Sequence, residues 1–246
     1  MEKKEYRAIF FAILAAALYA ISSPISKLLL NEVPPRMMAS FLYLGAGLGM
    51  SFIDVIRRKN HKNTEAKLTK KELPYTIGMV MLDIAAPIFL MLGLTMTSAA
   101  NVSLLNNFEI VATSLIALLI FKEPIGKRLW VAIILITIAS IILSVEDVSS
   151  LSFSFGSIFV LLAATCWGLE NNCTRKLSVK DPLQVVVIKG FGSGLGSLII
   201  ALMSGEKIDD ISFVMWALIL GFFAYGLSIF FYIYAQRDLG AAKTSA

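Results

Sequence analysis

LAATCWGLENNCTRKLS, residues 162–178, begins as a small-residue apolar helix and ends on a carboxylate, two amides and a basic pair. LAAALYAISSPISKLLL, residues 14–30, aligns with it without a gap, 148 positions earlier. Leu14, Ala15 and Ala16 match Leu162, Ala163 and Ala164, Tyr19 matches Trp167, Ala20 matches Gly168 and Lys27 matches Arg175. Further on, GAGLG at 45–49 resembles GSGLG at 192–196. IFLMLGLTMTSAANVS, 88–103, resembles IFFYIYAQRDLGAAKTS, 229–245, with one gap. The repeating unit holds five apolar segments, and an odd number of crossings inverts the second copy across a bilayer. Inverted repeats are a transporter architecture, with the binding site near the midplane between the copies.

Composition agrees with a bilayer. The chain has 246 residues, 57% hydrophobic and only 16% charged, where soluble domains carry about 25% charged residues. Eight stretches approach the ~20 apolar residues of a spanning helix. They are Ala8–Leu30, Met37–Ile56, Pro74–Leu94, Ala100–Phe121, Leu129–Val145, Phe155–Cys173, Leu183–Met203 and Phe213–Ala235, the fifth being short. Runs without period-2 alternation exclude a membrane barrel. The expected fold is all-α: a polytopic helix bundle of inverted five-helix repeats, 1–145 and 146–246. The end at Ala246 matches about Leu104 of the first copy. The second repeat therefore reads as truncated by two spans of ~20 residues each, eight helices of an expected ten.

The N-terminal MEKKEYR and AAALYA imitate a signal peptide, but the apolar run continues to Leu30, longer than such a segment needs. Lys and Arg cluster on alternate loops: Lys3, Lys4, Arg7; Arg57, Arg58, Lys59, Lys62, Lys67, Lys70, Lys71; Lys122, Lys127, Arg128; Arg175, Lys176, Lys180; Arg237, Lys243. The opposite loops hold little beyond Arg36 and Lys207, with Glu146, Asp147, Asp209 and Asp210. The positive-inside rule then places the N-terminus in the cytoplasm of a multi-pass plasma-membrane protein. The net charge of +5 is thus a topology signal, and no nucleic-acid partner is expected. His61 is the only histidine, so no cofactor, metal site or His-based triad is expected. Cys166 and Cys173, seven apart, would sit ~10 Å apart along a helix, beyond disulfide reach.

Several stretches resemble the EamA family of the drug/metabolite transporter superfamily, over the whole chain. They are S-S-P-I-S-K at 22–27, SAANVSLLNNFEIVATSLIALLIFKEPIGKRLWVAIILITIASIIL at 98–143, W-G-L-E-N-N-C-T-R-K at 167–176, D-P at 181–182 and the final RDLGAAKTSA. The resemblance implies a ten-helix permease with cytoplasmic termini, a central cavity and alternating access. Members move amino acids, nucleotide precursors, other metabolites or drugs, mostly by efflux. Many carry proline where this chain has Glu109-Ile110.

An ionisable group in mid-helix costs about 2.5–3.5 kcal/mol and marks a functional site by default. Glu109 lies near the middle of the fourth span, with Asn106 on its face and Asn107 pointing elsewhere. Glu109 is expected to line the solute path or relay a proton; its packing alternative is a hydrogen bond to a neighbouring helix. Asp83 in the third span is expected to share that cavity. On the sixth, Trp167, Glu170, Asn171 and Thr174 form one stripe at i, i+3, i+4, i+7 spacing. Its repeat mate is Tyr19, Ser22, Ser23 and Ser26. Lys189 is the candidate counter-ion of Glu170. Pro24 and Pro87 permit kinks. The glycine patterns at 45–49 and 192–196 permit close helix contact.

The reading is a secondary transporter, not an enzyme, with a small-molecule solute and the lipid bilayer as partners and a homodimer left open. A membrane enzyme on a lipid-linked substrate would want a charged cluster at one interface, which is missing. A structural membrane subunit would not need Asp83, Glu109 and Glu170 in lipid.

Overall fold

A computed structural model describes residues 3–59, 65–122, 124–147, 152–208 and 210–245, with side chains from 143 to 153 outside that description. His61, Lys62, Glu123 and Asp209 also lie outside it, as do the side chains of Lys3, Glu146 and Asp147.

The first span is two helices, α1 (Lys3–Ala20) and α2 (Ser22–Leu29). Pro24 has no N–H to offer Ala20, so the ladder is interrupted there. It resumes with Ile25 donating to the Ile21 carbonyl at 3.3 Å. α3 (Pro35–Lys59) opens on proline and ends on Arg57, Arg58 and Lys59, which suit the negative end of a helix dipole. Thr69 and Glu72 form a capping box at the short 3₁₀ turn Lys70–Glu72, which leads into α4 (Leu73–Met96). α4 runs unbroken through Pro87. The ammonium of Lys27 reaches back to its last turn, donating to the carbonyls of Leu94 and Thr97.

The fourth span is again two helices, α5 (Ala99–Leu105) and α6 (Phe108–Leu119). Between them Asn107 donates to Leu104, Glu109 to Asn106 and Ile110 to Asn107. These tight i→i+3 bonds replace the α ladder. α7 (Lys127–Ser144) leads to β1 (Val145–Asp147), which pairs antiparallel with β2 (Ser152–Phe153). α8 (Phe155–Leu177) and α9 (Pro182–Met203) follow, α9 capped by Asp181, whose Oδ1 accepts from Leu183 N at 3.1 Å. The eighth span is α10 (Ile211–Gly221), a π-helical turn over Phe222–Leu227, and α11 (Ser228–Leu239). Gly240, at φ 85°, turns the chain into α12 (Ala241–Ser245); a Cβ there would be strained.

Among the described residues, six helical segments are long and apolar enough to cross a membrane, not the eight expected. They are Lys4–Leu29, Pro35–Lys59, Lys70–Met96, Ala99–Leu119, Pro182–Met203 and Ile211–Leu239. The two expected spans outside that set still form helices. α8 is long enough, but Glu170, Asn171 and Asn172 lower its hydropathy. α7 opens on Lys127 and Arg128 and ends in side chains outside the description.

The bundle pairs α3 with α9, α4 with α8, and α1 with α11. α3 and α9 touch backbone to backbone: a Cβ added at Gly190 would sit 2.4 Å from Gly47 N. Phe10, Ile13, Phe52, Met81, Leu135 and Trp216 face outward, which suits lipid. Asp83, Glu170, Lys189 and Gln236 are buried instead. One end of the bundle is tied by ion pairs: Arg57 with Asp54 and Asp181, Lys180 with Glu72 at 3.3 Å, and Arg237 with Glu65 at 3.1 Å. At the other end Glu206 accepts from Arg36 at 3.0 Å and from Met37 N at 2.8 Å.

Candidate functional site

A cavity of about 420 Å³ lies where the interrupted helices meet. That size suits a small organic ligand. Its small-residue wall is Ala12, Ala15, Ala16 and Ala20 of α1. Alanine leaves room there that a larger side chain would fill. The break at Ile21 brings Ser23 to the wall, while Ser22 is buried and is not part of it. The break at Asn106–Asn107 sets Glu109 in the first turn of α6, facing the cavity. Asn107, expected to point elsewhere, also lies on the wall, one turn on from Ser103 and on the face that Asn106 and Ile110 share. The π turn carries Tyr225 there; π turns inside α-helices are often found at functional sites.

Glu170, Asn171 and Asn172 join neighbouring helices at this wall. Asn171 Nδ2 donates to Glu109 Oε1 at 2.6 Å and to Thr113 Oγ1 at 3.1 Å. Asn172 lies behind and donates to the carbonyls of Thr113 and Gly168. α8 is thereby stapled to α6. Gln236 of α11 donates to the Asn171 carbonyl at 3.2 Å. The three polar residues in a row thus divide their work between a wall and two helix contacts.

Glu170 and Lys189 pair at 2.7 Å, and Lys189 also meets Asp83 Oδ2 at 3.1 Å. Tyr43 Oη donates to Asp83 Oδ1 at 2.8 Å, and Thr174 Oγ1 donates to Glu170. Asp83 therefore does not share the cavity with Glu109. It stands off the wall, held by Lys189 and Tyr43, which do line it. The cluster clamps α3, α4, α8 and α9 at one buried point.

Aromatic rings complete the wall. Tyr19 meets Trp167 edge-on, centroids 6.2 Å apart, and Tyr225 at 5.7 Å; Tyr225 meets Tyr43 at 5.1 Å. The buried hydroxyls of Tyr19, Tyr225 and Tyr232 stand beside polar neighbours (Tyr225 and Asn106, Ser22 and Tyr19, and Gln236) without a well-formed hydrogen bond, and Asn106 Oδ1 has no partner. Of the expected residues, Tyr19, Ser23, Asn106, Glu109, Trp167, Glu170, Asn171 and Lys189 line the cavity, and Ser22, Ser26, Asp83 and Thr174 do not. Tyr43, Tyr225 and Tyr232 line it without having been expected. Tyr43 lies two positions before the GAGLG pattern, a signal the chain did carry. Tyr225 depends on the π turn, for which the sequence has no mark. Among the described residues, no group of three or more His, Cys, Asp or Glu side chains is arranged to hold a metal ion.

The model of the EamA-like transporter family matches residues 6–145 and 154–246. An uncharacterized transporter of Methanothermobacter thermautotrophicus is 28% identical over 251 residues, covering 95% of this chain and 73% of that protein. The uncharacterized transporter YyaM of Bacillus subtilis is 23% identical over 192 residues, covering 74% of this chain and 62% of that protein. A crystal structure described only as that of a protein superposes with a TM-score of 0.72 at 12% identity, over 97% of this chain and 83% of that chain. That likeness concerns the fold alone.

Proposed function

The chain belongs to the EamA-like transporter family, and on that premise we propose that it is a secondary transporter of the plasma membrane, carrying a small organic metabolite or drug by alternating access. The observation that carries this reading is the convergence of three helix interruptions on one largely apolar cavity into which a few polar side chains point. Interrupted helices at a buried site are the usual way a transporter frees backbone groups for a solute. The interruptions are at Ile21, at Asn106–Asn107 and over Phe222–Leu227.

In this reading residues 1–145 and 146–246 are inverted repeats. α1 and α2 correspond to α8, α3 to α9, and α4 to the helix of α10 and α11. The helix packing supports it: exchanging mates turns the α4–α8 contact into the α11–α1 contact, and α3–α9 into itself. The N-terminus is cytoplasmic, by the Lys and Arg bias of the loops. Efflux is the direction expected from the resemblance.

Solute counterflow into proteoliposomes tests the function, with a panel of amino acids, nucleobases and cationic drugs. Protein-dependent exchange of at least one class is expected. Turnover of a lipid-linked substrate without any exchange would favour a membrane enzyme instead.

A further inference from the structure

The charges around the cavity do not balance. Glu109 and Glu170 line it, and Asp83 stands behind Lys189. Lys189 is the one lysine, arginine or histidine among the lining residues. It is already shared by two carboxylates, at 2.7 and 3.1 Å. Glu109 meets only a neutral donor, the Asn171 amide. A buried carboxylate without a cation is costly, so Glu109 is stabilised by taking up either a proton or a cationic partner.

The walls favour a cation of a particular kind. Tyr19, Trp167, Tyr225 and Tyr43 form a continuous set of ring contacts at the cavity. Ring faces attract an ammonium, tryptophan most strongly. Tyr225 is 1% exposed, and its hydroxyl, beside those of Ser22 and Tyr19, makes no well-formed hydrogen bond. Asn106 Oδ1, without a partner, is an acceptor close to Glu109 in the chain. Acceptors and ring faces suit N–H donors. A metal ion would want several oxygen ligands in place of rings. Among the described residues, an anion would find no free cation on this wall.

The geometry points to a protonated organic amine carrying one net positive charge as the solute of this cavity, with Glu109 as its counter-charge and the Tyr19, Trp167 and Tyr225 rings around its ammonium. This rests on the reading of the cavity as the transport site. A zwitterionic amino acid is disfavoured, because its carboxylate would enter a site with surplus negative charge.

The repeat makes the arrangement asymmetric. Glu170 corresponds to Ser22 in the first copy, and Lys189 to Leu42. Glu170 and Lys189 therefore have no ionic counterparts in the first copy, although the cluster they form also takes Asp83 from it. A bound amine offers Glu170 a second cation, while Lys189 keeps Asp83. Solute charge is thereby linked to the contact between α8 and α9.

Calorimetric titration of the purified protein tests this with four probes of similar size. Phenethylamine is the cation, 2-phenylethanol the neutral analogue, 3-phenylpropionate the anion and L-phenylalanine the zwitterion. Phenethylamine is expected to bind at least tenfold tighter than each of the others. Glu109→Gln keeps the size and the Asn171 contact. It is expected to weaken phenethylamine at least tenfold and to leave 2-phenylethanol unchanged. Trp167→Phe keeps a ring and is expected to weaken phenethylamine several-fold. Thermal unfolding of both variants verifies that they fold. No saturable binding of phenethylamine, or equal binding of any other probe, would overturn the inference. Counterflow in proteoliposomes separates the two readings. Charge-selective binding without protein-dependent flux would overturn the transport reading and leave the cation site standing. Flux of the neutral or anionic probe with no preference for the amine would overturn the cation inference and leave transport standing.

Discussion

Lys189 holds two carboxylates at once, so its loss is felt by both. Lys189→Met strands Asp83 and Glu170 in a buried site. Breaking a buried ion pair from one side costs about 3–5 kcal/mol. Glu170→Gln leaves Lys189 with Asp83 as counter-charge, so its cost is expected to be smaller. Thermal unfolding in detergent should therefore rank Lys189→Met below Glu170→Gln, and Glu170→Gln below wild type. The reverse order would mean that Asp83 does not share the lysine. Glu109 is a different case. Asn171 keeps Thr113 as a partner when Glu109 is removed. Glu109→Ala gives up a hydrogen bond to a carboxylate, worth about 1.5–3 kcal/mol, and also removes the cost of a buried charge without a cation, so only a small net change in stability is expected while solute exchange is lost. A large fall in stability with exchange retained would make Glu109 a packing residue. At this scale the sequence exposed the cost of an acid in lipid, but not its partner. Glu109 and Asn171 are 62 positions apart, and nothing local pairs them.

The α3–α9 crossing depends on two missing side chains. A Cβ at Gly190 would stand 2.4 Å from Gly47 N, whereas one at Gly47 would clear Phe191 N by 3.0 Å. The obstacle at Gly190 is backbone and cannot rotate away. Overpacking typically costs about 1–3 kcal/mol. Gly190→Ala should fall in that range, and Gly47→Ala should cost less. Equal effects on thermal stability would mean that the helices separate freely. Pro24 makes the second element-scale test. Pro24→Ala restores the donor missing opposite Ala20 and favours one continuous helix. Stability is expected to hold or rise by about 1 kcal/mol, while exchange falls because Ser23 and Tyr19 lose their placement. Exchange at wild-type rate in a straightened helix would remove Pro24 from the mechanism. The prolines were legible as potential kinks, yet only one interrupts its helix. Pro87 is carried inside α4 without a break, because a packed helix can absorb a lost donor.

Ion pairs divide the whole molecule into two ends. Residues 65–72, 178–181 and Arg237 meet at one end, and Arg36 with Glu206 marks the other. Single cysteines at Lys67 and Lys180, with Cys166 and Cys173 replaced, should label from the same side of intact cells. A cysteine at Lys207 should label from the opposite side. In the proposed orientation, which follows the basic loops, the first side is the cytoplasm. Labelling of Lys67→Cys from outside, with Lys207→Cys protected, would reverse the proposed orientation and leave the shared end intact. Lys67→Cys and Lys180→Cys labelling from different sides would contradict the packing itself.

Membrane residence, helix content and the family were open to reading from the chain alone. They rest on local properties: apolar run length, the small-residue pattern of 14–30 and 162–178, and the basic loops. A bilayer makes these decisive, because backbone groups in lipid must be satisfied within each segment. The stripe of Trp167, Glu170 and Asn171 was legible for the same reason, since helical spacing alone puts them on one face. Which charge meets which was not. Lys189 is six positions after Leu183 on its own helix, yet its partners come from α4 and α8. The interruptions at Asn106–Asn107 and Phe222–Leu227 carry no proline to announce them. They are settled by neighbours: Asn171 draws Glu109, and Tyr225 packs between Tyr19 and Tyr43. Periodicity reports the face a residue takes on an ideal helix. Only packing between distant segments decides where the helix stops being ideal, and here that is where the cavity lies.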